Sequence, residues 1–493
     1  MSLFQVGEYF PPLEHQERIE RYRKNKRIFK GEHHLFFNTD ELTEHRQQLI
    51  FIASNLPGTI AKKSADFLFG ETPVFSAGKD DSSKEQKAIE RLVEDNDLHI
   101  TNYESALSNA YRGDSFYKIR WGQRYGGILS EEADPYRVFI ESQKAEYVFP
   151  ETLPGDNTLI YAYHIAVPSV IEGTGDEEWL LNVESHYPGK IEYSSYKIRP
   201  FKHSSYENAV NEWKIEQEIV SARREVETGV PFPLVVHVPN YATDDDWQGI
   251  DDISENEAIF YEIDNRLSKI AEILDKHSDP AMAVPAGTLG ENEKGEPIFH
   301  AGRDKIFEVM DKSEVVPQYI TWNGQLEAAF KELELLLNHL LIVSELPPVV
   351  LGVTDSGTSG ASGFAIKWRL NSLLAKVNRK RQYYNKGLKH VLLIAQLLEH
   401  AKADRSSLDY EVTNPKINFK DGLPDDDMEQ AQITQIRTGG KATQSQLSAI
   451  MQVHGYTEEQ ARIELKRIQD EERAEMTVDS SVFNAETAVE DGE

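Results

Sequence analysis

The chain has 493 residues, of which 53 are basic and 83 acidic, giving a formal charge of −30. That length can bury a large core shared among roughly two to four domains. The charge argues against a protein that reads DNA sequence through a basic face, although a repulsive wall would suit a passage through which DNA slides. The absence of cysteine excludes disulfide frameworks, thiolate zinc sites and thiol nucleophiles.

The first thirty residues are charged and lack an apolar run, so we expect no secretory leader and a soluble protein made in the cytoplasm. The longest apolar runs are too short to cross a bilayer. Residues 12–30, with Arg21, Arg23, Lys24, Lys26, Arg27 and Lys30, are predicted helical. Ile60, Ala61, Ser64, Phe67 and Leu68 then share one helical face, which Gly70 ends. Residues 85–112 read as one further amphipathic helical region. From 115 to 238 the pattern changes to short alternating runs separated by turn residues, which predicts mainly antiparallel β-structure. The first 240 or so residues are therefore of the α+β class.

Ser254-x-x-Glu257 has the spacing of a capping box. The helix it opens carries Ile259, Ile263, Leu267, Ile270 and Leu274 and stops before Pro280. A second helix, near Gly324, carries Leu326, Phe330, Leu333, Leu337 and Leu340 before Pro347. Two helices of about 24 residues, hence about 36 Å, predict an antiparallel stalk. The intervening residues 280–322 read as a small module of short strands with Gly turns. After Leu346-Pro347-Pro348 comes a Gly/Ser/Thr loop, and then a helix predicted over 361–402. Gly387 would be a bend point in that helix, and its nine bases against one acid, Glu399, would face solvent, a neighbouring acidic subunit or a polyanion. One strand near Lys416 and short helices over 425–474 follow, with Thr443-x-x-Gln446 and Thr457-x-x-Gln460 as capping boxes. The remainder, 475–493, is acidic and expected to be disordered.

Several patterns carry weaker chemistry. Gly352-Val-Thr-Asp-Ser-Gly357-Thr358-Ser359 imitates a P-loop, but Thr358 stands where the phosphate-binding Lys is needed, so a flexible loop is the better reading. Asp244 to Glu255 resembles a calcium loop, yet Gln248 replaces a ligand and no helix precedes it. His33-His34 lacks a third ligand, and neither a zincin motif nor a nucleophile elbow occurs. Residues 413–493 hold 17 acids and 8 bases, which disfavours a helix-turn-helix reader over 425–474. No catalytic residue, cofactor or metal is predicted; the alternative kept open is a P-loop-like or metal-dependent phosphohydrolase of a packaging machine.

Together, Asn55, Ala65-Asp66-Phe67-Leu68-Phe69-Gly70-Glu71-Thr72-Pro73, Gly113-Asp114-Ser115-Phe116-Tyr117-Lys118, the helix–module–helix of 254–346, Ser362-Gly363-Phe364-Ala365-Ile366-Lys367 and Phe419-Lys420-Asp421-Gly422-Leu423-Pro424 are informative by their order. In these the chain resembles the portal proteins of tailed bacteriophages, in the branch typified by phages of Gram-positive bacteria. The resemblance implies a multi-domain α+β fold: a wing (1–250 and 364–420), stem helices (254–278 and 324–346), a clip (280–322), a tunnel loop (348–362) and a crown (425–474). It further implies a closed ring, usually of twelve subunits, at one capsid vertex, assembled in the host cytoplasm, that nucleates the procapsid with capsid and scaffold proteins. Terminase and head-completion or adaptor proteins would dock on it. Double-stranded DNA would pass Thr354, Asp355, Ser356, Gly357, Thr358, Ser359 and Gly360 without being read. Lys367, Arg369, Lys376, Arg379, Lys380 and Arg381 are expected to contact DNA phosphates or, the favoured reading, acidic neighbouring subunits.

Overall fold

The computed structural model describes residues 3–37, 51–80, 82–171, 178–201, 212–278, 281–285, 306–309, 318–320, 326–351, 368–403, 408–420, 427–439, 442–454, 456, 458, 460–471 and 473. Helices and sheets are both well represented, in keeping with the α+β expectation. Helix α1 (Leu13–Phe29) is followed by a single turn, α2 (His34–Phe37), and by α3 (Leu56–Phe69). Pro57 lies in the first turn of α3, where its missing N–H costs nothing.

The region predicted as one helix over 85–112 is two, α4 (Lys84–Asp95) and α5 (Leu98–Arg112). Asp97 takes a left-handed φ of 45° between them. Asn96 occupies the break, donating to Leu92 O at 2.8 Å and accepting from Ile140 N at 2.9 Å. At the start of α4, Ser83 accepts from Gln86 N, an ordinary N-cap.

Two antiparallel sheets follow. The smaller has the order β11-β3-β4, from Val235–Pro239, Asp114–Gly122 and Arg137–Gln143. The larger runs β1-β9-β8-β7-β6-β5, with β10 (Arg224–Glu227) also on β8. Its strands are β1 (Tyr9–Phe10), β9 (Glu212–Glu218), β8 (Lys190–Phe201), β7 (Glu178–Tyr187), β6 (Asp156–Ile171) and β5 (Val148–Leu153). On β7, Leu181 and Val183 are buried while Asn182 between them is exposed, the alternation of a strand with one packed face.

Helices α6 (Glu257–Ser278) and α7 (Leu326–Val343) flank a three-stranded module, β12 (Ala281–Pro285), β13 (Ile306–Val309) and β14 (Gln318–Ile320), in the order β13-β12-β14. The expected strand near Pro297 lies outside the described residues. Arg266 pairs with Glu332 at 2.9 Å, and the start of α6 and end of α7 meet a common lysine described below; the two helices are therefore antiparallel.

The long helix α8 (Asn371–Lys402) has 32 residues and spans about 48 Å. A turn at Leu370 (φ −88°, ψ 0°) separates it from the helical pair Trp368 and Arg369. It packs across β11, β3 and β4. Gly387 is a point of close approach: a Cβ there would lie 2.4 Å from Cγ2 of Val238 on β11. Phe260, Ile263, Leu340, Leu346, Leu373, Val377, Tyr384 and Leu388 share one core with α3, α4 and α5. Burying such side chains contributes about 1.5–3 kcal/mol each.

Strand β15 (Lys416–Asn418) pairs with β2 (Val74–Ser76). Helices α9 (Asp427–Thr438) and α10 (Gln446–His454) and helical residues 460–471 complete the description. Ser445, not Thr443, caps α10: its Oγ accepts from Ser448 N at 3.2 Å, while Thr443 Oγ1 donates to Arg437 O. Thr457 and the acidic tail over 475–493 lie outside the described residues.

Candidate channel loop and the network that anchors it

Thr354, Asp355, Ser356, Gly357, Thr358, Ser359, Gly360 and Lys367 lie outside the described residues. The two segments that hold their ends are described, and they meet. At the end of α7, Leu346 N donates to Leu341 O at 2.9 Å and Glu345 N to Ile342 O at 3.2 Å. Glu345 has φ 58°. These are the two bonds and the left-handed residue of a Schellman stop, and buried Leu346 supplies its apolar contact. Pro347 and Pro348 prevent the helix from resuming. Glycine usually fills the left-handed position; here Glu345 pairs with Arg379 of α8, an ion pair glycine could not make.

One turn earlier on α8, Lys376 Nζ donates to Ser344 O at 3.1 Å, satisfying a free carbonyl at the α7 terminus. The same lysine lies 3.3 Å from Asp252 Oδ1. Lys380, 1% exposed, reaches Asp252 Oδ2 and Ser64 Oγ, each at 2.5 Å. Asn240 Nδ2 donates to Asp252 at 3.2 Å. One buried carboxylate thus joins the start of α6, the end of α7, the start of α8 and helix α3. Burial alone would raise the Asp252 pKa, but Lys376 and Lys380 outweigh it and hold it down to about 2. Burial, with repulsion from Lys376, brings Lys380 down to about 8 even though Asp252 favours its charged form. Two cations share one anion, so the arrangement tolerates no loss of Asp252.

Asp251 performs the capping expected of Ser254. Its Oδ1 accepts from Ile253 N at 2.9 Å and Ser254 N at 2.7 Å, and Ser254 Oγ donates to its Oδ2 at 2.8 Å. A 3-10 turn over Ser254–Asn256 precedes α6, so Ser254 is the first residue of that turn and not the residue that caps the helix. Asp264, further along α6, accepts from Ser54 N at 2.9 Å and bonds His33 Nδ1 at 2.5 Å. His33 is accordingly a buried structural group.

The bases proposed for DNA or a neighbour therefore divide. Lys376 and Lys380 are buried in the network above. Arg381, 9% exposed, bonds Phe67 O at 3.1 Å and Lys420 O and lies over the Phe419 ring. These three are used within the chain and cannot present themselves outward; a periodic count of basic residues does not reveal distant carboxylates and carbonyls. Arg379 is half-exposed but paired with Glu345. Arg369 is exposed at the entrance to α8.

A second buried carboxylate, not anticipated from its charge, lies within the Gly113-Asp114 motif. Asp114 accepts from Gly249 N at 2.8 Å, bonds His237 Nε2 at 2.7 Å and accepts from the Tyr22 hydroxyl. It locks α1, β3 and β11 to the segment leading into α6. Gly113 and Gly249 let their backbones cross there, since a Cβ on Gly249 would lie 1.9 Å from Gly113 O. In the calcium-like stretch, Asp246 accepts from Gln248 and Asp245 from Thr243. Among the described residues, no three His, Asp or Glu side chains are placed to hold a metal.

The architecture defines the class: an α+β body with an antiparallel helix pair that flanks a small β-module, the end of α7 being tied to the start of α8. The chain matches the family described as phage portal protein, SPP1 Gp6-like, over residues 13–477, nearly its whole length. It belongs to that family. Membership makes it a structural protein of the phage capsid that serves DNA packaging, working as an oligomer associated with the capsid. No curated protein matches the chain. Among the described residues, no helix is long and apolar enough to cross a membrane.

Proposed function

We propose that copies of this chain close into a ring, of twelve subunits as is usual for portals, around a channel through which DNA enters and leaves the capsid. In this reading α6 and α7 form the stem, residues 280–322 the clip, 425–474 the crown, and 1–250 with 364–420 the wing. Residues 348–362 line the narrowest point, and Arg369 and Lys367 are the bases nearest the DNA. The ring nucleates procapsid assembly with capsid and scaffold proteins, docks the terminase, and later receives head-completion proteins.

The observation that carries this reading is the unused apolar face of α7. Leu335 is 63% and Ile342 74% exposed, although the opposite side of the helix is packed in the core through Leu333, Leu336, Leu337 and Leu340. A helix apolar on both sides needs a second partner, and a neighbouring copy in a ring supplies one. The anchored loop ends support the rest: a small-residue loop held at a fixed base can touch a duplex without reading bases. Deleting residues 354–361 is expected to leave rings intact by electron microscopy while impairing DNA packaging or retention. Loss of ring assembly in that deletion would refute the placement of the loop in the lumen.

A further inference from the structure

The connection between β3 and β4 combines apolar exposure with local order. Ile128, at its tip, is 84% exposed, and Tyr125, Leu129 and Tyr136 are also exposed. The loop is nevertheless pinned. Asp134, 7% exposed, accepts from Arg124 N at 3.0 Å and Tyr125 N at 2.8 Å, and its carbonyl accepts from Gln123 Nε2 at 2.8 Å. Ile128 N closes onto Tyr125 O at 3.1 Å, and Gly126 and Gly127 take the left-handed conformations that this turn requires. Four apolar side chains are thus held in water on a preformed loop, which removes much of the ordering cost of binding. Tyr136 also stacks on Trp121 of β3, with ring centroids 6.4 Å apart.

The position of the loop bears on its partner. The Asp114 end of β3 adjoins the anchoring network: Asp252 N donates to Ala110 O at 2.8 Å and Asn240 N to Gly113 O at 2.7 Å. Nine residues of strand carry the chain about 30 Å from there to the tip. Helix α8 gives the same answer by another route. It leaves the network at Lys376 and reaches Glu399 about 35 Å away, where Glu399 pairs with Arg91 of α4 at 2.8 Å. The C-terminal end of α4 meets the base of the hairpin through Asp95 and Arg137, 3.6 Å apart. The tip therefore stands at the end of the body remote from the network of Asp252, Lys376 and Ser344. Its charge adds a second constraint. Glu131 and Glu132 are exposed beside the apolar residues, and the chain carries −30, so another copy would offer a repulsive surface on average.

We propose that the loop over 123–136 is a contact by which this protein is gripped by the surrounding capsid shell, in an apolar recess of the shell protein rimmed by basic side chains. The proposal rests on the portal reading and adds to it a surface and the chemistry of its partner.

The test pairs Ile128→Ser/Leu129→Ser with the charge reversal Glu131→Lys/Glu132→Lys. Each is compared with wild type for oligomeric state by mass photometry and for the amount incorporated into shells assembled from the phage's own purified shell protein. The expected result is an unchanged oligomer with incorporation lowered at least about tenfold in the serine variant, and a smaller, salt-dependent loss in the lysine variant. Incorporation equal to wild type would overturn the proposal. So would dissociation of the oligomer, which would assign the loop to a second copy. Wild-type protein that formed no ring would instead refute the portal reading, a result visible before any variant is compared.

Discussion

Replacing Asp252 by Asn keeps the shape of the side chain and its contact with Asn240, but removes the anion shared by Lys376 and Lys380. Breaking a buried ion pair from one side costs about 3–5 kcal/mol. An independent bound comes from the lysine, which can escape by losing its proton. With its folded pKa already down to about 8, giving up that proton at pH 7 costs only about 1.4 kcal/mol. Proton loss therefore sets the lower end of the range and the broken pair its upper end, and the loss should be local, because the network holds the first turns of α8 to the ends of α6 and α7. Hydrogen exchange of amides in 371–384 is expected to accelerate roughly ten- to several-thousand-fold at pH 7. The sign with pH is fixed as well. Lys380 has a folded pKa of about 8, below its ordinary 10.5. Between those values the unfolded chain binds more protons, so wild-type stability rises with pH over that window. In Asp252→Asn the rise should begin at lower pH, because the favourable anion is gone. Lys380→Met, which removes the surplus cation, should cost less than Asp252→Asn. Acceleration below about fivefold, or a flat response between pH 8 and 10.5, would refute the shared-anion account.

Gly387→Ala should cost about 1–3 kcal/mol by overpacking against Val238, measurable as a lower Tm; the double variant with Val238→Ala should recover most of it. A bend-point role for Gly387 predicts no such rescue. Acid should loosen the N-terminal region. His15 is brought down to about 3 by burial, by Arg18 and by His164, and burial also lowers His164 and His186 despite Glu151 and Glu184 beside them. Folded pKa values below the ordinary 6.5 mean that stability is full above that pH and is lost as pH falls toward the folded values. The slope is about 1.4 kcal/mol per pH unit for each such histidine. His15→Gln should flatten the fall in Tm between pH 6.5 and 5; an unchanged slope would refute His15 as a contributor.

Element types were legible because periodicity reports burial. The spacing of Ile259, Ile263 and Leu267 marked α6, and alternating runs marked the strands, since each face answers to its own environment. Element ends were less legible. Asn96 and Asp97 divide one amphipathic stretch into two helices because Asn96 bonds to Ile140, a partner invisible in the local pattern. The caps moved for a similar reason: Asp251 and Ser445 stand one or more residues from the Ser254 and Thr443 that fitted the spacing.

Composition and order alone established an acidic, cysteine-free α+β chain with a helix pair around a small module and a glycine-rich stretch of sequence after two prolines. They also carried enough of the portal pattern for the family to be recognised. Only the folded chain determined where the charges of α8 go. Lys380 and Asp252 are 128 residues apart, and nothing in either neighbourhood marks them as partners. Apolar periodicity is a local signal repeated many times, whereas a buried ion pair is a single long-range event that packing alone brings about.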